Sequence, residues 1–302
     1  MTDRLESMSI LAAVVDAGSL SAGARALRMP VATVSRRVAA LESALGTQLL
    51  LRSARGLSLT DTGASYLAAC RRILEQVAEA ERIAAGEFRE PKGVLAMTAP
   101  VVFGQLHVLP VVTAFLHAYP EVDVRLEQSD HMVSLSEEHI DLAVRIGPLP
   151  DSSLRARRLG AVRRVICASP DYLSARGRPV RAEDLAAHDC ITFGKVTSPD
   201  HWQLGAGGSA RAIPVHSRMI VNTAEAAIEA ATAGLGLTRV LSYQVARPIA
   251  EGRLEIVLEG EEPEPWPVNL VYGGGLVPQK LRAFIDFAAP RLEAALRPSG
   301  HP

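Results

Sequence analysis

The sequence predicts an α/β protein with an all-α, winged helix-turn-helix domain at its N-terminus and a two-lobed α/β domain after it. Three observations predict this. Residues 4–45 hold three short amphipathic helical patterns separated by Gly18 and Pro30. Between Leu20 and Thr60, Arg25, Arg28, Arg36, Arg37, Arg52 and Arg55 stand against one acid, Glu42, a local charge of +5 in a chain of net charge −1. From residue 93 onward, strand and helix patterns alternate to the end.

The 302 residues exceed a typical single domain of ~100–200 residues. A composition of 48% hydrophobic and 22% charged residues is that of a globular chain. No continuous apolar run reaches the ~18–20 residues of a membrane span. The acidic start, Met1-Thr2-Asp3-Arg4-Leu5-Glu6, does not read as a secretory signal, so a cytoplasmic protein without membrane partners is expected. Cys70, Cys167 and Cys190 are odd in number and form no C-x-x-C pair, which argues against a disulfide framework and a structural zinc site.

The first helix is expected over Arg4–Ala17, with Leu5, Met8, Ala12 and Val15 on its inner face. Ser19 is a good N-cap for a second, with Leu20, Ala24 and Leu27 inside. Pro30 suits the first turn of a third, Val31–Leu45, whose stripe is Val34, Val38, Leu41 and Leu45 and which Gly46 ends. Its other face carries Ala32, Thr33, Ser35, Arg36 and Arg37. Two helices joined by a short turn, the second exposing small and basic groups, form a helix-turn-helix. Small leading residues let such a helix approach base edges in the major groove, and arginine reaches guanine or phosphate. Residues 48–52 and 56–60 read as two strands of a wing around Ser53-Ala54-Arg55, offering Arg52 and Arg55 at its tip. Thr60 then caps a long helix, 61–89, with Tyr66, Cys70, Ile73, Val77, Ala80 and Ala84 at coiled-coil spacing and Leu67, Leu74 and Ala84 as a second stripe beside it, so two choices of seam stay open. Such a helix predicts a homodimer.

Several of these motifs together resemble the DNA-binding signature of LysR-type transcriptional regulators. They are Ala17–Leu27, Ala32–Val38, Leu41–Gly46, Leu49-Leu50-Leu51-Arg52 and Leu59-Thr60-Asp61-Thr62-Gly63. Pro120, Ile140–Gly147 and Ala233-Gly234-Leu235-Gly236 resemble the same family's effector domain, so the likeness covers nearly the whole chain. Val31 departs from the glutamine frequent in the family, which removes a bidentate adenine contact and leaves an apolar contact with a thymine methyl. Leu51 replaces a usual phenylalanine. By this resemblance Val31, Ala32, Thr33, Ser35 and Arg36 face the groove, and Arg37, Arg52 and Arg55 turn to phosphates. The partners implied are double-stranded promoter DNA, a small-molecule effector, a second dimer making a homotetramer, and RNA polymerase if the protein is an activator. No cofactor is implied.

Glu87–Gly93 ends in a Pro and a Gly and marks the boundary to the second domain. Strands are expected at 94–97, 122–127, 142–146, 163–168, 190–193, 237–240 and 268–272, and helices at 103–118, 132–139, 170–175, 182–187, 223–233, 242–250 and 279–296. This rhythm predicts mostly parallel sheets. The resemblance implies a periplasmic-binding-protein-like domain over 93–302, with lobe I at 93–162 plus 268–302 and lobe II at 163–267. Ligands of such sheets sit at the carboxyl ends of strands. Thr98, Ala99, Pro100, Phe103, Gly104, Ser129, Asp130, Arg145 and Gly147 in the first lobe, and Phe193, His201, Trp202, Asn222 and Thr223 in the second, are therefore the candidate effector residues. The amides near Phe103-Gly104 would suit an anion. Each also has a plainer role as a cap, core residue or ion-pair partner.

An enzyme is the first competing reading, but no G-x-S-x-G, P-loop, dinucleotide fingerprint or metal-spaced histidine pair is present. A solute-binding protein would need an export signal and no basic helix-turn-helix. Cysteine redox sensing is disfavoured, since Cys167 and Cys190 lie in apolar strands.

Overall fold

A computed structural model describes residues 4–53, 56–84, 90–131, 134–135, 140–193 and 201–297. The chain divides into two compact units at Pro91/Lys92.

In the first unit α1 (Arg4–Asp16), α2 (Leu20–Ala26) and α3 (Val31–Leu45) precede a two-stranded wing, β1 (Leu50–Ser53) antiparallel to β2 (Gly56–Leu59), and α4 (Asp61–Ala84). Ser19 caps α2 by accepting from the Ala22 amide at 3.1 Å. Val34, Val38 and Leu41 of α3 are buried against α1, and Gly46 takes the left-handed conformation that closes α3, at φ 68°. Pro30 is the N-cap of α3, one place before the first turn where it was expected. The expected stripe of α1 is also corrected. Ser7, Met8, Ile10, Leu11 and Val14 are buried, while Leu5 is exposed. The helix is enclosed by α2, α3 and α4, so it buries a broad face and not a narrow seam.

The seam expected along α4 is corrected as well. Leu67 and Cys70 are fully buried within the single chain, and Leu67 and Tyr66 belong to the three-helix core. Arg71 pairs with Asp16 of α1 at the same place. The first three turns of α4 thus complete the N-terminal core. Uncovered apolar surface lies further along, where Ile73 is exposed and Leu74 and Val77 are half-buried. Residues 85–89, the expected end of this helix, lie outside the described residues.

The second unit has two five-stranded sheets. It begins with β3 (Gly93–Ala99), α5 (Val101–Phe103), a π-helical turn (Gly104–Val108), α6 (Leu109–Ala118), β4 (Val122–Gln128), β5 (Leu142–Ile146) and β6 (Arg155–Val162). There follow β7 (Arg164–Ala168), α7 (Pro170–Arg176), a 3-10 turn (Ala182–Ala187), β8 (Asp189–Phe193), β9 (His201–Leu204), β10 (Arg211–Pro214) and β11 (His216–Val221). The rest is α8 (Ala224–Thr232), β12 (Leu237–Leu241), α9 (Ala246–Ala250), β13 (Glu255–Val257), β14 (Trp266–Tyr272) and α10 (Gln279–Ala295). The lobe I sheet has the order β4-β3-β5-β14-β6, the lobe II sheet β11-β8-β12-β7-β13, and β9 and β10 form a separate hairpin.

Each sheet is mixed, with four of its five strands sharing one direction. In lobe I β3, β4, β5 and β6 run one way and β14 runs against them; in lobe II β8, β11, β12 and β13 run one way and β7 runs against them. The reversed strand of each sheet is the first that the chain enters after crossing between lobes. Strands β6, β9, β10, β11 and β13 were not expected from the sequence. Three of the eight residues of β6 are exposed and only two are buried, so it carries no clear apolar period.

The helix expected over 103–118 begins two residues earlier and widens into a π turn at Gly104–Val108. Pro110 follows that turn, lacks an amide hydrogen and would crowd the carbonyl four residues back; the wider turn relieves this. Val101–Ala118 is long and apolar enough by composition to cross a membrane. It is broken by the π turn, and Phe103, Val108, Val112 and Phe115 are buried in lobe I, as in a core helix. The helix expected at 182–187 is a 3-10 turn, and that at 242–250 splits into a 3-10 turn and α9. Of the helix expected at 132–139, only Ser134 and Leu135 are described, and neither is helical.

Candidate nucleic-acid interface and interlobe cleft

The face of α3 turned away from the core carries Val31, Ala32 and Arg36, all exposed, with Thr33 and Ser35 half-buried between them. Arg28, in the turn before α3, is exposed and sits at φ 55°. Arg37 differs from its neighbour. It faces α1 and is ion-paired to Glu6 at 2.9 Å, so it is not free for phosphate in this conformation. Arg55 lies outside the described residues, as does the side chain of Arg52.

What holds the wing against this helix was partly invisible in the sequence. Glu42, the one acid in the basic stretch, accepts from the amides of Leu49 and Leu50 at 2.8 and 3.0 Å. Its carboxylate therefore fixes the chain between α3 and β1 and adds no repulsion to the reading face. Thr60 donates to the Gln48 carbonyl at 2.8 Å and accepts from the Gly63 amide at 2.9 Å. A methyl at Gly63 would collide with the Leu49 carbonyl, so the start of α4 is seated directly on the wing.

In lobe I the carboxyl ends of β3, β4 and β5 bring together most of the expected residues. The Ser129 amide donates to the Ala99 carbonyl at 2.9 Å, and the Ser129 hydroxyl accepts from the His131 amide at 3.2 Å. Arg145 donates to the His131 carbonyl at 3.4 Å. The Gly147 amide donates to the Pro267 carbonyl at 2.9 Å, which turns Gly147 toward Trp266 and away from this group. The anion cradle expected near Phe103-Gly104 is corrected: Asp130 already accepts from the Val101 amide at 3.1 Å, and Pro100 from the Gly104 amide at 2.6 Å. A carboxylate of the chain itself meets the helix start, which leaves little there for an added anion.

Three buried polar atoms near this point meet no hydrogen bond of ordinary geometry among the described residues: Thr98 Oγ1, His107 Nε2 and Tyr243 Oη. Phe103, His107 and Tyr243 form one aromatic cluster across the lobes, with ring centroids 4.8 to 5.7 Å apart. Burial lowers the pKa of His107 and raises that of Tyr243, so both rings are neutral near pH 7. Neither residue was expected. His107 lies one helical turn after Phe103, and Tyr243 follows the carboxyl end of β12, so strand-end reasoning carried the signal for Tyr243.

The lobe II candidates do not converge on this group. Trp202 is a core residue of lobe II, 2% exposed, with Arg239 over its ring at 5.5 Å. Phe193 packs on the lobe II core beside α8. His201 and Asn222 are exposed, and Thr223 caps α8 by accepting from the Ala226 amide at 3.3 Å. The two crossovers between lobes are tied by Arg163, which donates to both carboxylate oxygens of Glu262 at 2.7 and 2.6 Å.

All three cysteines are buried and free. Burial pushes the Cys167 and Cys190 thiols up to about 12. Among the described residues no group of three or more metal-ligating side chains occurs.

A winged helix-turn-helix joined to a two-lobed ligand-binding domain defines a DNA-binding regulator that senses a small molecule. Comparison with known proteins gives the family. Residues 5–64 match the bacterial regulatory helix-turn-helix protein, lysR family, and residues 88–293 match the LysR substrate binding domain. The chain belongs to the LysR family. It is 36% identical to the HTH-type transcriptional regulator CrgA of Neisseria meningitidis over 97% of this chain and 98% of that protein. It is also 34% identical to the HTH-type transcriptional activator AaeR of Escherichia coli over 89% of this chain and 87% of that one. The solved structure of Neisseria CrgA superposes with a TM-score of 0.60 at 33% identity, covering 97% of this chain and 99% of that one. That of the Vibrio cholerae virulence activator AphB gives 0.58 at 30% identity, covering 95% and 98%. The protein is thus a LysR-type transcriptional regulator and not an enzyme. It binds promoter DNA through its N-terminal domain and a small-molecule effector through its C-terminal domain.

Proposed function

We propose that residues 1–60 read DNA, that 61–89 pair two copies, and that 93–302 sense the effector, with lobe I at 93–162 plus 268–302 and lobe II at 163–267. In this reading Val31, Ala32, Thr33, Ser35 and Arg36 meet base edges, while Arg52 and Arg55 of the wing meet phosphates. Arg37 joins them only by leaving Glu6. The observation that carries the reading is the exposure of Val31, Ala32 and Arg36 on one face of a helix whose opposite face is fully buried.

The effector sits between the lobes against Thr98, Ser129, His107 and Tyr243. Three buried polar atoms that meet no hydrogen bond of ordinary geometry favour a small ligand that hydrogen-bonds, because each unmade bond costs about 1–3 kcal/mol. An occupant bound better by one lobe arrangement shifts the population toward it, and so the separation of the two reading heads. Dimers pair into a tetramer through their effector domains, and the assembly contacts RNA polymerase if it activates. It works in the cytoplasm, on the chromosome.

The test is a mobility shift with footprinting on the DNA upstream of the protein's own gene, across a salt series. Specific protection in paired half-sites supports the reading. Arg36→Ala should lose about 1–3 kcal/mol of binding and relax base preference at one position per half-site. An equal loss on every sequence would make Arg36 a phosphate contact, and no specific binding at all would remove the assignment of the α3 face.

A further inference from the structure

A cavity of about 370 Å³ lies beside the two crossovers of the effector domain. Arg164, Trp266, Pro148, Pro265, Gln203 and Glu264 are among the residues lining it. Its size is that of a small-molecule pocket, which usually holds ~300–1,000 Å³. None of Thr98, Ser129, His107 or Tyr243 lines it.

The charges here are unusual for this chain. Arg163, Arg176, Arg178, Arg211, Arg218 and Arg253 each meet a carboxylate. Arg164 meets none among the described residues. Its guanidinium lies 4.3 Å above the Trp266 ring, and its Nε is buried without a hydrogen-bond partner. Glu264, exposed at the rim, forms no ion pair with it. A second guanidinium, that of Arg239, is held over Trp202 and donates to the Gln203 carbonyl at 2.9 Å, again with no acid. Burial, and then the like charge of Arg164, lowers the pKa of Arg239 to about 10. Two desolvated cations close together, with no acid between them, leave an uncompensated cost that an incoming anion would remove. Arg164 lines the cavity, and a guanidinium fits a carboxylate with paired hydrogen bonds. The remaining walls are prolines and an indole, suited to an apolar body.

We propose that this cavity is a second ligand site, for a small organic carboxylate with a compact apolar body, held by Arg164. Arg164 opens β7 directly after the first crossover, Pro263 and Pro265 belong to the second, and Trp266 opens β14 directly after it. A ligand here grips both strands on which the lobes turn, so it acts on lobe orientation from outside the interlobe site. Its binding requires nothing of that site.

Benzoate is the probe, titrated into the full-length protein by calorimetry and by tryptophan emission, which Trp266 dominates in sensitivity because Trp202 is 2% exposed. Saturable binding is expected, with benzamide inert at the same concentrations. Arg164→Met should weaken it at least about tenfold, the value of a charged hydrogen bond or more. Ala210→Leu, an exposed lining residue, should block the cavity without touching the core. Thr98→Val, which alters only the interlobe site, should leave benzoate binding intact. Absence of saturable benzoate binding, equal binding of benzamide, or retention of binding in Ala210→Leu would each overturn the proposal. Loss in Thr98→Val with retention in Arg164→Met would do the same and would assign the binding to the interlobe cleft.

Discussion

Arg163 and Glu262 form a two-pronged ion pair between the only segments where the polypeptide passes from one lobe to the other in the described residues, Arg163 separating β6 from β7 and Glu262 lying between β13 and β14. Glu262 is 13% exposed and Arg163 48%. The pair joins the two crossovers side to side, so they bend together.

Arg163→Ala should therefore loosen the hinge more than it destabilises the fold. Thermal unfolding of the effector domain should lose about 1–2 kcal/mol, above a fully exposed pair because Glu262 is left half-desolvated. Hydrogen exchange should quicken at residues 160–165 and 260–267. Unchanged exchange there would show that the sheets alone fix the hinge.

Glu42→Ala removes the acceptor for two amides and should cost about 1.5–3 kcal/mol of stability in the N-terminal domain, as hydrogen bonds to a charged group do. Glu42→Gln keeps a carbonyl acceptor and should recover more than half. Both belong in a denaturant titration, and a silent Glu42→Ala would mean the wing holds itself.

His107 makes the effector domain sensitive to mild acid. Its pKa is lowered by burial in the folded state, so it adds stability that is complete above the unfolded value of about 6.5 and is lost as pH falls below it toward the folded value. His188 is lowered for the same reason and contributes in the same window. Melting temperatures measured from pH 7.5 to about 5 should decline, and His107→Phe, which fits between Phe103 and Tyr243, should flatten part of that decline. A variant with the same slope as the wild type would exclude His107 as its source.

The cysteines should be silent toward thiol reagents at pH 8. With pKa values of about 12, the thiolate fraction of Cys167 and Cys190 there is on the order of one in ten thousand, and the folded chain covers the sulfur. A colorimetric thiol assay should find none of the three reacting quickly without denaturant and all three with it. One fast-reacting thiol in the native protein would reopen a redox role.

The N-terminal domain was largely legible because its logic is local. Ser19, the Val34-Val38-Leu41 stripe and Gly46 each act within a few residues of themselves. Glu42 was legible only as a charge, since its partners lie seven and eight residues away, beyond the helix that carries it. In the effector domain, Thr98 and Ser129 could be placed by the strand-end rule. Trp202 could not, because its surroundings are set by Arg239 and by a hairpin with no distinct pattern in sequence. Tyr243 and His107 were missed because the aromatic cluster is made by bringing two distant segments together. The polar face of β6 hid a strand whose neighbour, β14, is supplied more than a hundred residues later.

The burial of Leu67 and Cys70 bears on how this regulator could be rebuilt. A chimera joined just after Thr60 would sever the reading head from three turns of its own core and expose Leu49 and Leu11 to water. A junction placed beyond Arg72 keeps the head whole and exchanges only the outer helix and the sensor. The natural seam for recombining heads and sensors therefore runs through the middle of a helix, where the side chains stop facing the core of the head and turn outward.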